Sequence, residues 1–110
     1  MIAKTPKPPY YSVIFSSITS KELEGYTETA QKMITLAQSQ HGFLGVESAR
    51  NEIGITVSYW KDLESIQKWK SNYEHSIAQE KGKSEWYSSY KVRIAKVEHD
   101  YDFNAMPEQR

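Results

Sequence analysis

The chain has 110 residues, carries 14 Lys and Arg against 14 Asp and Glu, and contains no cysteine. A single domain of this length can bury roughly two-thirds of its unfolded surface, while a zero net charge gives it no long-range attraction to nucleic acid or to anionic membranes. The lack of cysteine excludes disulfides and thiolate ligands and is typical of cytoplasmic proteins. We therefore predict one cytoplasmic domain that binds neither nucleic acid nor membranes.

The first strand follows an arm that is rich in proline. Residues 1–9 contain Pro6, Pro8 and Pro9, which disfavour both helices and central strands, so we predict a flexible arm. A strand is predicted over residues 10–18, with apolar side chains on both of its faces. One face has Tyr11, Val13 and Phe15, and the other has Tyr10, Ile14 and Ile18. Because both faces are apolar, both must be covered.

Two helices are predicted from capping residues and from apolar spacing. Thr19 and Glu22 match a capping box, and apolar residues at helical spacing continue the first helix to about Gln40, where Gly42 would end it. Asp62 stands where the second helix needs an N-cap. This second helix should run to residues 81–82, and its apolar face consists of Leu63, Ile66, Trp69, Tyr73 and Ile77.

The other strands form a hairpin and a long last strand. Residues 43–50 and 53–60 should pair across Asn51-Glu52. Residues 86–97 predict a strand of about double the mean length, and residues 102–110 form a polar tail. The order β-α-β-β-α-β is that of the ferredoxin-like split βαβ fold, in the α+β class. Because such a sheet leaves one face bare, a second copy of the chain is the simplest cover, and we predict a homodimer.

Several segments of the sequence resemble those of a known family. They are PYYSVIF, HGFLGVESAR, GITVSYWKDLESIQKWK and WYSSYKVRIAKVEHDY. Together they resemble the antibiotic biosynthesis monooxygenase (ABM) superfamily, in particular its small stand-alone bacterial members, over residues 9–101. The resemblance implies a domain over residues 10–101 that forms a dimeric α+β barrel, in which two sheets pack face to face and the C-terminal strand reaches to the partner.

The activities implied by this resemblance are mixed. Some relatives oxidise quinols or polyketide aromatics with O₂ and without metal or flavin. One branch binds and degrades haem, using an Asn at the end of the first strand with a Trp and a His of the second helix. Here that strand ends in Phe15-Ser16-Ser17, and Trp69 and His75 are closer together than in that branch. The resemblance implies a cofactor-independent oxygenase acting on a small aromatic or quinol-like substrate. The alternative is a non-catalytic dimeric barrel that binds haem or another planar ligand.

A cofactor-free oxygenase needs a base and an oxyanion donor in a dry aromatic pocket. His75, in the aromatic second helix, is the candidate base, and Asn72 is the candidate donor. A surface or structural role for His75 is the alternative. In a continuous helix His75 would project almost opposite the apolar face. We therefore expect both residues to reach a pocket only if the helix bends near residues 71–73.

The walls of such a pocket are predicted at the corner between the third strand and the second helix. Trp60 ends that strand and Trp69 lies about two turns into the helix, so their indoles can face each other and bind a flat ligand, although tryptophan at such positions also builds cores. Phe15, Ile14 or their neighbours would form the floor, and Arg93 would either hold a carboxylate or phenolate or lie exposed. Without cysteine or a histidine pair one helical turn apart, we predict no metal site.

Overall fold

The computed structural model describes residues 2–19, 26–79 and 87–105, with their side chains except at 26–30, 73–79 and 87. The strands are β1 (Tyr10–Thr19), β2 (Phe43–Arg50), β3 (Gly54–Trp60) and β4 (Tyr87–Val97), and the helices are α1 (Tyr26–Gln38) and α2 (Leu63–Gln79). The four strands form one antiparallel sheet in the order β2-β3-β1-β4. The predicted ferredoxin-like α+β fold is confirmed. Within the described residues, neither helix has the length and apolar character that a membrane crossing requires.

The strand register fixes which side chains share a face of the sheet. Tyr11 of β1 lies opposite Trp60 of β3, and both pack in a hydrophobic core with Ala37 of α1 and Ile66 of α2. This side of the sheet is termed the helix face. The alternate residues form the open face, and those of β1 are Tyr10, Ser12, Ile14, Ser16 and Ile18. The predicted division of the first strand into two faces is confirmed.

Trp60 is the centre of this core. Its side chain has no exposed surface, and its indole N–H donates a hydrogen bond to the Ser58 hydroxyl at 2.8 Å. Phe43 of β2 contacts the indole edge-on, with ring centroids 5.4 Å apart, and Trp69 of α2 stacks on it with centroids 6.0 Å apart. Trp60 therefore joins β2, β3 and α2 at one corner of the domain.

The chain enters α2 through a capped turn directly after Trp60. The Asp62 carboxylate accepts a hydrogen bond from the Ser65 N–H at 2.8 Å, which confirms the predicted N-cap. Gly42, in the turn after α1, has a φ of 88°, the left-handed conformation predicted for a glycine that follows a helix. A side chain at position 42 would overlap Ser65. The lack of a side chain on Gly42 therefore lets the start of α2 approach the end of α1.

Two predicted element boundaries are wrong. Thr19 is the last residue of β1 and pairs with Tyr87 of β4, so it does not cap α1, which begins at Tyr26. The hairpin turn extends to Ile53, because the Asn51 N–H donates to the Ile53 carbonyl oxygen at 3.2 Å. The rest of the predicted capping box, the helix end at residues 81–82 and the strand start at residue 86 lie outside the described residues.

The N-terminal arm is fastened to the open face. The Ala3 N–H donates to the Glu47 carboxylate at 2.8 Å, and the Thr5 hydroxyl donates to the Tyr10 hydroxyl at 2.9 Å. Gly45 leaves room for the arm, since a Cβ at that position would lie 3.0 Å from the Cβ of Ala3. These contacts place the arm against the sheet, and the flexibility predicted for residues 1–9 stays a prediction.

Trp60→Ala is expected to lower the free energy of unfolding by about 3–5 kcal/mol, because it replaces a fully buried aromatic side chain with a cavity. Urea unfolding followed by circular dichroism measures the change. Leu63→Ala is the control, since Leu63 is 53% exposed and its loss should cost far less. A cost below about 1 kcal/mol for Trp60→Ala, the size of an ordinary substitution, would contradict the central position of Trp60.

Candidate functional site

The residues predicted to bind a substrate fall on both faces of the sheet. Phe15 lies on the helix face together with Trp60 and Trp69. Ile14 and Arg93 are register partners of each other on the open face. The sheet therefore separates these two residues from the indoles, which corrects the prediction of Ile14 as part of the pocket floor. The reason is the two-residue period of a strand, which directs Ile14 and Phe15 to opposite faces. The role predicted for Arg93 stays a prediction.

The two indoles are in direct contact, without the predicted gap between them. Their centroid separation of 6.0 Å and interplanar angle of 23° lie within the range of offset stacking, about 4.5–7 Å. Phe43 packs against the edge of Trp60, so core side chains fill the corner. Trp60 is fully buried and acts as a core residue. Trp69 is partly buried, and its contribution to ligand binding stays a prediction.

The predicted catalytic residues lie on α2, which is helical without interruption through residues 71–73. The Asn72 amide donates to the Gln40 side-chain oxygen at 3.1 Å on the exposed surface, and this bond links α2 to the turn after α1. The side chain of His75 lies outside the described residues. Position 75 is about 180° around the helix axis from the buried Ile66. The role of His75 as the base stays a prediction.

An aromatic pair lies at the opposite end of the helix face from Trp60. Phe15 of β1 and Tyr90 of β4 stack with ring centroids 5.3 Å apart and planes at 30°. Tyr90 is 42% exposed. Val92 and Ile94, which follow on the same face of β4, are also exposed. At this end the sheet therefore has exposed aromatic and aliphatic side chains on β4, and Phe15 is the predicted site residue that lies beside them.

One row of residues crosses the sheet beside this pair. The register places Arg50 opposite Gly54, Gly54 opposite Ser17 and Ser17 opposite Tyr90. The Arg50 guanidinium lies over Gly54, where a side chain would overlap it, and donates a hydrogen bond to the Ser17 hydroxyl. A positive charge is thus held on the helix face.

Arg50 is not among the residues that the sequence predicted for the site. The arginine, its glycine and its serine come together only through the pairing of three strands. The available signal was Gly54 itself, because a glycine at the start of a β-branched strand often marks a close approach by another group.

The open face carries a hydrogen-bonded network of two phenols and two carboxylates. Tyr59 donates to Glu47 at 2.7 Å, Tyr10 donates to Asp100, and the two rings meet edge to face at 5.9 Å. Burial raises the pKa of Tyr59 to about 12, and the hydrogen bond to Asp100 raises the pKa of Tyr10. Both phenols therefore stay protonated at neutral pH and act as donors, not as bases.

No three His, Asp or Glu side chains among the described residues lie close enough together to hold a metal ion. The predictions that the protein needs neither a metal nor a bound cofactor were made from the sequence, and they stay predictions.

Comparisons with known proteins give the family. No family model matches the chain. The uncharacterised protein YqjZ of Bacillus subtilis is 56% identical to it over 99 residues, which cover 88% of this chain and 87% of YqjZ. The chain belongs to the family of YqjZ.

Solved structures with the same architecture show the fold. PA3566 from Pseudomonas aeruginosa has a TM-score of 0.65 at 12% identity, covering 87% of this chain and 99% of PA3566. A provisionally assigned antibiotic biosynthesis monooxygenase from Nitrosomonas europaea has a TM-score of 0.64 at 11% identity. The alignment covers 86% of this chain and 94% of that protein. SnoaB, a cofactor-independent oxygenase from Streptomyces nogalater, has a TM-score of 0.61 at 8% identity. The alignment covers 92% of this chain and 100% of SnoaB. The resemblance to the ABM superfamily is confirmed at the level of the fold.

Glu47→Gln is expected to reduce the loss of stability in acid. The hydrogen bond from the Ala3 N–H, followed by that from Tyr59, lowers the pKa of Glu47 below its ordinary value of 4.5. The folded protein therefore binds this proton less readily than the unfolded chain does. The carboxylate contributes stability above the ordinary value, and that stability is lost as the pH falls from there through the lower folded value.

Melting temperatures of the wild type and of Glu47→Gln, measured from about pH 7 to about pH 3, test this linkage. Glu52→Gln in the exposed hairpin turn is the matched control and should keep the wild-type profile. Identical profiles for all three proteins would contradict a role for Glu47 in holding the arm.

Proposed function

We propose that the protein is a cofactor-independent oxygenase that acts on a small aromatic or quinol-like substrate. The observation that carries the proposal is the stacked Phe15–Tyr90 pair, in which Tyr90 is 42% exposed, on a fold that the cofactor-independent oxygenase SnoaB shares. An aromatic pair of this kind can hold a flat ring by stacking. The substrate ring would lie against Phe15 and Tyr90, at the end of the helix face away from Trp60.

Oxidation of such a substrate by O₂ needs few groups from the protein, because the substrate itself supplies the electrons. Removal of the hydroxyl proton of an electron-rich phenol gives an anion that can pass an electron to O₂, and the two radicals then combine. For a simple phenol, one atom of O₂ replaces the hydrogen para to the hydroxyl and becomes a carbonyl oxygen. The other oxygen atom leaves as water with the ring hydrogen and the hydroxyl hydrogen, and the product is a quinone. The first proton passes to a general base, and the role predicted for His75 from the sequence stays a prediction.

Haem, bound by a non-catalytic dimeric barrel, is the alternative to an oxygenase substrate. SnoaB is a cofactor-independent oxygenase, which favours the oxygenase proposal over a haem protein. Binding of haem and a cytoplasmic location both stay predictions.

The homodimer is part of the proposal, and the open face supports it. Ile18 and Ile55 lie on that face and are 47% and 45% exposed. β4 is an edge strand of 11 residues, and Tyr101 beyond it is 97% exposed. A second copy packed on the open face would cover these apolar residues. An obligate interface of this kind should bury upward of about 2,000 Å² in total.

Oxygen uptake tests the activity. Purified protein, incubated in air with a panel of quinols and electron-rich phenols and with a chelator present, is expected to consume O₂ as product forms. Tyr90→Ala should raise KM about three- to tenfold, the value of one stacked aromatic contact, with little change in melting temperature because Tyr90 is 42% exposed. Leu63→Ala is the control and should keep the wild-type KM. Absence of uptake with every substrate, together with a Soret shift when haem is added, would favour the planar-ligand alternative.

Ile55→Asp is expected to convert the dimer to a monomer, because it places a charge on a face that the partner would desolvate. Light scattering should give twice the chain mass of 12.8 kDa for the wild type and a single chain mass for the variant. Ile53→Asp is the matched control, since Ile53 is 54% exposed in the hairpin turn, and it should remain dimeric. A monomeric wild type would refute the homodimer.

A further inference from the structure

We infer that Arg50 is the anion-binding group of the site, and that the ligand is a planar aromatic molecule with a negatively charged oxygen. The oxygen, whether of a carboxylate or of a phenolate, would lie on the Arg50 guanidinium while the ring lies against Phe15 and Tyr90. The inference deepens the proposed function, and it rests on that function for the aromatic character of the substrate.

The position of the guanidinium is fixed from two sides. Gly54 leaves the space in which the guanidinium lies, since a side chain there would overlap it. The Ser17 hydroxyl, on a residue that is 2% exposed, accepts one of its hydrogen bonds. A long arginine side chain is otherwise free to rotate, and these two contacts hold it against the sheet. Its charged group is therefore already oriented before a ligand binds.

The guanidinium keeps both charge and donors for a ligand. Arginine has five N–H donors, and the hydrogen bond to Ser17 uses one of them. Ser17 is neutral, and no carboxylate among the described residues forms an ion pair with Arg50. Arg50 is itself exposed, so a ligand can reach it. A carboxylate fits the paired donors of a guanidinium, and a phenolate can accept from either of them.

The row of register partners places this charge next to the aromatic pair. Ser17 lies between Gly54 and Tyr90 across the sheet, and neighbouring strands are about 4.8 Å apart. A molecule of one or two fused rings could therefore lie against Tyr90 while its anionic oxygen contacts Arg50. Such a contact also favours the deprotonated form of a phenol, which is the form that passes an electron to O₂. Arg93, on the open face, cannot reach the same ring within one chain.

Binding of 2-naphthoate and of its neutral analogue 2-naphthamide, measured by isothermal titration calorimetry without any turnover, tests the inference. The wild type should bind naphthoate at least tenfold more tightly than naphthamide. Arg50→Gln should remove that preference and leave naphthamide binding unchanged. Gly54→Ala keeps the charge but displaces the guanidinium, so it should weaken naphthoate binding as well. 2-Naphthol, titrated at pH values below and above its own ionisation, shows whether a phenolate is bound in the same way.

Two controls separate the possible outcomes. Lys68→Gln removes one positive charge from the exposed side of α2 and should leave naphthoate binding unchanged. Loss of naphthoate binding in Arg93→Gln but not in Arg50→Gln would overturn the inference, and so would equal binding of the two ligands or no binding of naphthoate by the wild type. Because no oxidation is measured, Arg50-dependent binding without oxygen uptake would refute the proposed function and leave the inference standing.

Discussion

The stacking of Trp69 on Trp60 is the contact on which the rest of the structure depends. Trp60 is the last residue of β3, and its indole is enclosed by Phe43 and Trp69. The start of α2 is fixed only a few residues later by the Asp62 cap. Rotation of α2 away from the sheet would break the stacking of Trp69 on Trp60 and expose the indole. The corner therefore concentrates the hydrophobic core at one end of the helix face, and the opposite end of β4 keeps exposed apolar residues.

The two faces of the sheet differ in the polar groups that they present. On the open face, the Tyr10 and Tyr59 hydroxyls are used in bonds to Asp100 and Glu47, and both have raised pKa values. These two phenols therefore act as donors, and Glu47 also fastens the arm. On the helix face, Arg50 keeps unused donors beside an aromatic pair. Chemistry that needs a stabilised anion next to a flat ring is therefore better supported on the helix face.

The parts of the structure that were predicted correctly depend on neighbours in sequence. The alternation of β1 defines its two faces, and the cap at Asp62 and the left-handed Gly42 follow from local backbone chemistry. Thr19 was assigned wrongly because a local capping pattern competed with strand pairing, and its partner Tyr87 lies far along the chain. The candidate site was predicted poorly for the same reason. Arg50 meets its serine only through the register of three strands, and Ser17 lies 33 residues away along the chain.

A fold shared at low sequence identity does not by itself establish a shared activity. YqjZ is identical to this chain at over half of the aligned residues. SnoaB is identical at only 8% of them, although its fold is similar over 92% of this chain. At that distance the backbone is kept while the side chains that do chemistry are free to differ, so an activity has to be argued from the site. Oxygenation without a cofactor requires a stacking surface and a group that stabilises an anion. The row from Arg50 to Tyr90 brings both together through strand pairing. A side chain on Gly54 would displace the guanidinium from this row, because the nearest atoms that it would meet are those of the flexible Arg50 side chain.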